Sequence, residues 1–311
     1  MDKLYDFDIC EEGLKRYGGS DKKETIIFNN ERYMLKFNDD IPPEKRNDMI
    51  SSSRNNVFSE YVSCHIYAAL GIPVQETLLG MRHGHIVVAC KDFCVNDYEL
   101  NEFIKYGNSI DIDFEDQRYP EIKDVIKVIR RNKQMDPKII EERFWDTFVI
   151  DSLLGNFDRH TGNWGYLYNE KTHDFNVAPV YDCGACLYAI VSDEGMIKIL
   201  NDQEEINERI YKYPKAAFMY NGEKIDYVKF LSDKNVHDDF PLLIESLKKV
   251  SKRYDKNIVT DIIDNTPCLS SIRRTFYKTM ISERYSKILE PAIETLNVSE
   301  NIGQYIPSFH R

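Results

Sequence analysis

Asp158 and Asn163 lie five positions apart in a polar loop, Gly155 to Trp164, which follows an amphipathic helical stretch. A carboxylate can orient an attacking hydroxyl and accept its proton. A neutral amide oxygen can hold a magnesium ion without adding charge to the site. Phosphoryl transfer requires both of these functions from protein side chains. The pattern therefore predicts Asp158 as the catalytic base and Asn163 as a catalytic metal ligand.

Asp182 follows this loop after a predicted β-hairpin, in the sequence Tyr181-Asp182-Cys183-Gly184. In protein kinases a second acidic ligand after the catalytic loop completes the metal site. Asn, Asp and Gly also form ordinary turns, and this simpler explanation of the individual residues stays open. The order of loop, hairpin and aspartate favours a magnesium site made by Asn163 and Asp182.

A glycine-rich segment near the N-terminus has the composition of a nucleotide-binding loop. Gly18 and Gly19 allow the backbone to approach a phosphate closely, and Ser20, Lys22 and Lys23 add a hydroxyl and two cations. A simple bend into the first strand would have a similar sequence. The segment precedes the first predicted strand, 24–28, and we interpret it as a phosphate-binding loop.

Lys36 lies in the next predicted strand, the apolar run 32–37, where an unpaired ammonium would be costly to bury. Glu60 is the acidic residue inside the next predicted helix and is therefore the expected partner. A strand lysine paired with a helix glutamate positions the phosphates in protein kinases. Either residue could instead lie exposed at the surface, as most lysines and glutamates do. The pattern favours Lys36 as a catalytic, phosphate-binding residue.

The composition indicates a globular protein with an acidic surface. The 311 residues include 41 Lys and Arg against 52 Asp and Glu, which gives a net charge of −11, and 42% are hydrophobic. This balance argues against binding of extended nucleic acid, because counterion release requires clustered cations. No apolar run reaches the roughly 18 residues that a membrane span requires.

Seven scattered cysteines indicate reduced thiols and not a disulfide framework. They are Cys10, Cys64, Cys90, Cys94, Cys183, Cys186 and Cys268. A four-thiolate zinc site of Cys90, Cys94, Cys183 and Cys186 is an alternative, although no histidine pair supports it.

The N-terminus lacks the basic and apolar regions of a signal peptide, so we expect a cytoplasmic protein. Secretion by a route without a signal peptide stays open.

Hydrophobic periodicity divides the chain into a strand-rich part and a helical part. The patterns predict strands at 24–28, 32–37, 74–79, 85–90, 165–168 and 175–178 and helices at 55–70, 122–131, 137–154, 238–254, 258–263 and 271–296. We expect an α+β, two-lobed, protein-kinase-like fold. Its small β-rich N-lobe would span 1–94 with a hinge at 90–94, and its larger, mostly helical C-lobe would span 95–311. The ligand cleft would lie between the lobes.

The motif Gly155-Asn156-x-Asp158-Arg159-His160-x-x-Asn163-Trp164, followed by Ala178-Pro179-x-Tyr181-Asp182, resembles the HipA-type serine/threonine kinases. It is most similar to the compact members of that family. The resemblance covers roughly residues 13–190 and implies transfer of the γ-phosphoryl group of ATP, with Mg²⁺, to serine or threonine of a protein substrate, with autophosphorylation open. A regulator of the antitoxin type is a second implied partner.

The resemblance also implies roles for residues around the nucleotide. Lys91 and Phe93 would lie at the adenine hinge, and His160 and Tyr181 would line the nucleotide pocket. Phosphatidylinositol-type kinases share the Asp-Arg-His-x-x-Asn pattern, so a lipid or small-molecule acceptor is the first alternative. A catalytically silent, toxin-like binding protein or pseudokinase is the second.

Overall fold

The computed structural model describes residues 3–17, 23–38, 40–45, 49–50, 55–108, 114 and 119–304. The strands of these residues are β1 (Tyr5–Asp6), β2 (Glu11–Glu12), β3 (Lys23–Phe28), β4 (Glu31–Lys36), β5 (Thr77–Arg82), β6 (His85–Lys91), β7 (Tyr98–Glu102), β8 (Gly165–Asn169), β9 (Asp174–Val177), β10 (Met219–Tyr220) and β11 (Glu223–Lys224). The helices are α1 (Asn56–Ala69), α2 (Phe103–Asn108), α3 (Ile122–Arg130), α4 (Pro137–Leu154), α5 (Asp193–Leu200), α6 (Gln203–Tyr211), α7 (Tyr227–Ser232), α8 (Lys234–Asp239), α9 (Pro241–Arg253), α10 (Lys256–Asn265), α11 (Ser271–Arg284) and α12 (Glu290–Gln304).

An N-terminal sheet has the described strand order β1-β5-β6-β4-β3-β2. Its neighbours are antiparallel except β1 and β5, which run parallel. Asn29 and Asn30 form the turn between β3 and β4 with φ values of 52° and 63°. Asparagine tolerates this left-handed region, and such turns match the twist of a hairpin. The strands predicted at 24–28 and 32–37 pair as an antiparallel hairpin, whose register places Lys23 opposite Lys36.

Gly80 lies inside β5, although the sequence predicts a turn from Gly80 to Gly84. The turn consists of His83 and Gly84, with φ values of 51° and 76°. A Cβ atom on Gly80 would lie 2.3 Å from Phe7 Cε2 and 2.6 Å from the Tyr5 carbonyl oxygen. This glycine is therefore required by the close approach of β1, a distant segment that the local sequence does not reveal.

Helix α1 packs beneath the N-terminal sheet and ends as predicted before Gly71, whose φ is +72°. Arg253 at the end of α9 donates a hydrogen bond of 3.0 Å to the Leu70 carbonyl oxygen. A cation in this position is favourable because it lies at the negative end of the α1 dipole. The C-terminal half of the chain thereby holds the helix that carries Glu60.

Helix α4 is the centre of the helical half and has the predicted bounds. The Asp136 side chain accepts a 2.9 Å hydrogen bond from the Lys138 N–H, and Pro137 occupies the first helical position. Gly155 ends the helix in the left-handed conformation, with φ +67°. The predicted helix at 238–254 is instead broken at Phe240, because Pro241 cannot continue a helix from its N-terminal side.

A second described sheet, of order β7-β8-β9, stands beside α4. The predicted hairpin at 165–178 forms β8 and β9. The loop from Gly155 to Trp164, which the sequence predicts as the catalytic loop, therefore precedes this hairpin, and Asp182 follows it. The Val180 carbonyl oxygen accepts a 2.8 Å hydrogen bond from Gln75, and the Val180 N–H donates one of 2.9 Å to Pro73. These bonds connect the segment after α1 directly with the segment that leads to Asp182.

The described hydrophobic residues form two clusters. The larger contains α1, the inner face of the N-terminal sheet and the helices of the C-terminal half. The smaller covers the outer face of the sheet around Phe7 and Leu35. The N-terminal and C-terminal halves therefore share one core next to the site. Of the helices that the structure describes, none is both long enough and apolar enough to cross a membrane.

Candidate active site

Lys36, Glu60 and Asp182 meet at the junction of the two halves. The Lys36 Nζ atom lies 2.8 Å from Glu60 Oε2 and 3.0 Å from Asp182 Oδ1. Glu60 is fully buried, whereas the Asp182 side chain is 45% exposed to the cleft. The ion pair that the sequence predicts between the β4 lysine and the α1 glutamate is present, and it includes Asp182, 146 residues further along the chain.

Lys36 and Asp182 hold each other in the ionised form, whereas burial raises the pKa of Glu60. Burial alone would lower the pKa of Lys36, but the carboxylates of Glu60 and Asp182 raise it well above its ordinary value. The positive charge of Lys36 lowers the pKa of Asp182 to about 2. At neutral pH the site therefore contains an ammonium and an exposed carboxylate that is available to a cation.

Glu60 also fixes the main chain next to Asp182. Its Oε1 atom accepts a 2.9 Å hydrogen bond from the Cys183 N–H. Asp182 has a φ of 57°, a conformation that is uncommon for a residue with a side chain. The bond from Cys183 to a buried carboxylate stabilises this conformation, so a single side chain of α1 sets the positions of both Lys36 and the Asp182 segment.

A buried ion pair supports the loop from 155 to 163. The Arg159 Nε atom lies 3.0 Å from Asp151 Oδ2, and both side chains are almost completely buried. Arg159 also donates hydrogen bonds to the carbonyl oxygens of Asn163 and Tyr181. Its guanidinium thus connects α4, the end of the catalytic loop and the residue before Asp182. The residues that the sequence assigns to catalysis are positioned through Arg159.

Asp158 and Asn163 contact one another within the loop. The Asn163 side-chain amide donates a 2.8 Å hydrogen bond to the Asp158 carbonyl oxygen. The Asp158 N–H donates one of 3.0 Å to the side chain of Asn156. Asp158 is exposed and lines the cleft together with Asn163 and His160. The loop therefore presents a carboxylate to incoming substrate while its backbone is held from both sides.

Asn163 and Asp182 fit a magnesium ion by the chemistry of their donor atoms. The Asn163 amide nitrogen is bonded to Asp158, so its oxygen is the atom left for a ligand. Asp182 keeps an exposed carboxylate whose pKa is too low for protonation near neutral pH. Mg²⁺ prefers such oxygen ligands, usually one or two from the protein with phosphate oxygens and waters completing the shell.

Of the glycine-rich segment that the sequence predicts to bind phosphate, the structure describes only Lys23. Gly18, Gly19, Ser20 and Lys22 lie outside the described residues. Lys23, directly after them, lines the cleft on β3 opposite Lys36. The role of this segment stays a prediction.

Lys91 and Phe93 lie at the end of β6. The Lys91 amine pairs at the surface with Glu31, at 2.6 Å, and with Glu76. The Phe93 ring lies 5.8 Å from the Tyr181 ring. Their part in adenine binding also stays a prediction, and for Lys91 it would have to use the main chain.

Sequence reasoning missed three residues that organise the site. Arg159 and Asp151 hold the catalytic loop, and Asp92 pairs with Lys15 at 2.8 Å, which ties the segment before the glycine loop to the end of β6. Asp151 could have been found, because it is a lone charge in the apolar sequence Val149-Ile150-Asp151-Ser152-Leu153. For Asp92 we find no comparable signal in the sequence.

The cysteines group differently from the zinc alternative. Among the described residues, the potential ligand atoms of Glu60, Cys64 and Cys183 lie within 4.8 Å of one another, and all three residues are buried. Hydrogen bonds from the thiols of Cys186 and Cys64, together with Arg159, lower the pKa of Cys183 well below its ordinary value. Among the described residues Cys90, Cys94, Cys183 and Cys186 form no such cluster, which argues against the four-thiolate alternative. The cations Lys36 and Arg159 already compensate the charges of the observed cluster.

These side chains border a cleft of about 1160 Å³ between the halves of the chain. Its inner part is lined by Lys36, Glu60, Asp158, Asn163 and Asp182. The arrangement combines a cation for phosphates, a pair of oxygen ligands for a metal and an exposed carboxylate for a hydroxyl. Together these are the parts that phosphoryl transfer requires.

The family model described as the HipA-like C-terminal domain matches residues 16–218 of this chain. The serine/threonine-protein kinase CtkA of Helicobacter pylori strain J99 is 42% identical over 291 residues, which cover 92% of this chain and 87% of that protein. Both findings agree with the motifs of the catalytic loop.

Two solved structures resemble the fold. The crystal structure of a Helicobacter pylori proinflammatory kinase, CtkA, matches with a TM-score of 0.83 at 39% identity, over 96% of this chain and 100% of that chain. HipA of Shewanella oneidensis MR-1, from a toxin–antitoxin complex with HipB and operator DNA, matches with a TM-score of 0.59 at 14% identity, over 94% and 69%. The predicted α+β, kinase-like fold is confirmed.

Proposed function

The chain belongs to the HipA-like C-terminal domain family, and from this membership we propose that it is a serine/threonine protein kinase that uses ATP and Mg²⁺. One observation carries the proposal. Lys36, Asp158, Asn163 and Asp182 line a single cleft although they come from both halves of the chain. The protein-kinase activity named for the 42% identical relative favours a protein acceptor over a lipid.

Asp158 acts as the base in the proposed reaction. Its carboxylate orients the serine or threonine hydroxyl and accepts its proton. The hydroxyl oxygen then forms a bond to the γ-phosphorus, and the bond from that phosphorus to the bridging oxygen breaks, which releases ADP. Arg159 keeps Asp158 in place by holding the loop on Asp151.

Lys36 would hold the phosphates of ATP, and Lys23 lines the same cleft from β3. The role of Gly18, Gly19, Ser20 and Lys22 stays a prediction. A magnesium ion bound by Asn163 and Asp182 would neutralise phosphate charge. Glu60 keeps Lys36 and the Asp182 segment in position from α1. His160 lines the cleft and would border the nucleotide. Tyr181, with Lys91 and Phe93 at the end of β6, would lie toward the adenine; their roles stay predictions.

We expect Asp182→Asn to lose most of the effect of Mg²⁺ on nucleotide binding. The amide cannot supply the charge that an ionised aspartate offers a divalent cation. We predict a loss of about tenfold or more in the Mg²⁺-dependent gain in affinity, comparable to known losses at metal sites. Titration calorimetry of ATP with and without Mg²⁺ measures it. Asp97→Asn, which alters an exposed aspartate on the surface, is the matched control. An unchanged Mg²⁺ effect in Asp182→Asn would contradict the metal assignment.

A regulator of the antitoxin type stays a prediction for this chain. The HipA structure that contains HipB and DNA is only 14% identical, which supports the fold alone. Copurification of the chain with the product of a neighbouring gene would test it.

A further inference from the structure

The cleft extends beyond the proposed catalytic centre into an outer half built from the C-terminal part of the chain. We call this region the outer cleft. Its large or charged lining residues include Phe157, Ile190, Lys212, Tyr213, Lys215 and Lys224. All of these residues belong to the C-terminal half of the chain.

Among the described residues that line the outer cleft, positive charge prevails, although the net charge of the protein is −11. The carboxylates among the described lining residues are Glu60, Asp158 and Asp182, and all of them belong to the inner half. Lys215 is exposed, and Lys224 lies 3.7 Å from the centre of the Tyr119 ring.

The cations of the outer cleft differ in whether a carboxylate of the described residues already pairs with them. Arg209 and Lys212 are bound to Glu205 and Glu208 of their own helix, α6. Lys215 and Lys224 pair with no carboxylate of the described residues. They are therefore the cations that an incoming anionic group would meet.

The segment that carries Lys215 is held against the catalytic loop. A Cβ atom on Gly155 would lie 3.3 Å from Pro214 Cγ, so the two segments are in contact. The buried Arg284 donates hydrogen bonds of 2.7 Å to the Ser152 carbonyl oxygen and 2.8 Å to the Arg209 carbonyl oxygen. The end of α6 and the end of α4 are thus fixed to each other, and the lysine is presented from a rigid support.

Apolar side chains stand beside these lysines. Phe157 is 44%, Tyr213 42% and Ile190 38% exposed. Exposed apolar groups that cluster in a cleft are typical of binding sites. Apolar groups interleaved with Lys215 and Lys224 fit an extended acidic polypeptide. The recessed position of this surface makes it less suited to a flat membrane.

We propose that the outer cleft binds the acceptor polypeptide and that Lys215 and Lys224 select acceptors with carboxylate side chains close to the phosphorylated serine or threonine. The proposal rests on the kinase function proposed above. Complementary charge across an interface fixes the register of the partner and disfavours wrong partners. The lysines would thereby position the acceptor hydroxyl at Asp158.

A matched peptide panel tests this specificity. Each peptide carries one serine, with glutamate placed at successive positions on either side and a glutamine peptide of the same length as its counterpart. We expect kcat/KM to favour glutamate at one or a few positions by about tenfold. The preference should shrink at about 0.5 M NaCl, where charges are screened within about 4 Å.

The double variant Lys215→Glu/Lys224→Glu should reduce the glutamate-to-glutamine ratio to one or below. The control is Lys256→Glu, an exposed lysine of α10 outside the cleft with the same change of charge, and its ratio should equal that of the wild type. Should the double variant fold poorly, Lys215→Gln/Lys224→Gln gives the same comparison without charge reversal.

The outcomes separate this proposal from the kinase function. Transfer to glutamate and glutamine peptides at equal rates would overturn the acidic preference and leave the kinase intact, whereas no transfer to any peptide would contradict both. Cosedimentation with phosphatidylserine/phosphatidylcholine vesicles adds a further arm. Vesicle binding that disappears in the double variant, without any peptide preference, would assign the lysines to anionic lipid and overturn the proposal.

Discussion

Asp158→Asn is expected to lower kcat for phosphoryl transfer by about 10²- to 10⁴-fold, the usual contribution of a general base. Asparagine has a similar shape but cannot accept the proton of the attacking hydroxyl. The main-chain bonds of residue 158 to Asn156 and Asn163 do not involve the replaced carboxylate, so the loop should keep its conformation. Transfer of labelled phosphate from ATP to the protein itself or to a generic acceptor measures the effect.

Nucleotide binding distinguishes loss of chemistry from loss of the site. Calorimetry should show ATP–Mg²⁺ bound by Asp158→Asn with nearly wild-type affinity, because Lys36 and Asp182 remain. Asp97→Asn again serves as the surface control and should keep full activity. Transfer at the wild-type rate by purified Asp158→Asn would refute the assignment of the base.

Arg159→Met should lower the free energy of unfolding by about 3–5 kcal/mol, because removing one partner leaves a buried charge without compensation. Asp151 is only 1% exposed and would lose its cation. The carbonyl oxygens of Asn163 and Tyr181 would lose a donor as well. Denaturant unfolding followed by circular dichroism measures the loss.

Two further variants test whether burial is the cause. Lys278→Met breaks an ion pair with Asp264 that is partly exposed on both sides, and its cost should stay at about 0–1 kcal/mol. Asp151→Leu/Arg159→Met removes both buried charges, so it should recover part of the stability lost by Arg159→Met. A loss as small for Arg159→Met as for Lys278→Met would show that the buried pair does not support the loop.

Secondary structure could be predicted from the sequence where it depends on residues that are close together in the chain. The strands on either side of the Asn29–Asn30 turn and the helix from Pro137 to Leu154 follow from backbone preferences and capping, and the sequence predicts them. The interval between Asp158 and Asn163 is likewise local, so one loop indicated the chemistry.

Features that depend on contacts between distant segments of the chain could not be predicted from the sequence. Gly80 is required by β1, and the short strands β10 and β11 have too few residues for a periodic pattern. Arg159 was visible within the catalytic motif, yet its function arises from contacts with Asp151 and Tyr181 that only the folded chain provides. The lysines that line the outer cleft also come from separate segments, which only the folded chain brings together.

The contact between Lys36 and Asp182 has a consequence for the order in which ligands arrive. In the ligand-free protein the Lys36 ammonium, which also pairs with Glu60, lies 3.0 Å from the Asp182 carboxylate and offsets part of its attraction for a solitary divalent cation. ATP phosphates that engage Lys36 would release Asp182 from this offset. Magnesium would then enter together with the nucleotide rather than ahead of it, and the empty enzyme would discriminate against free metal ions.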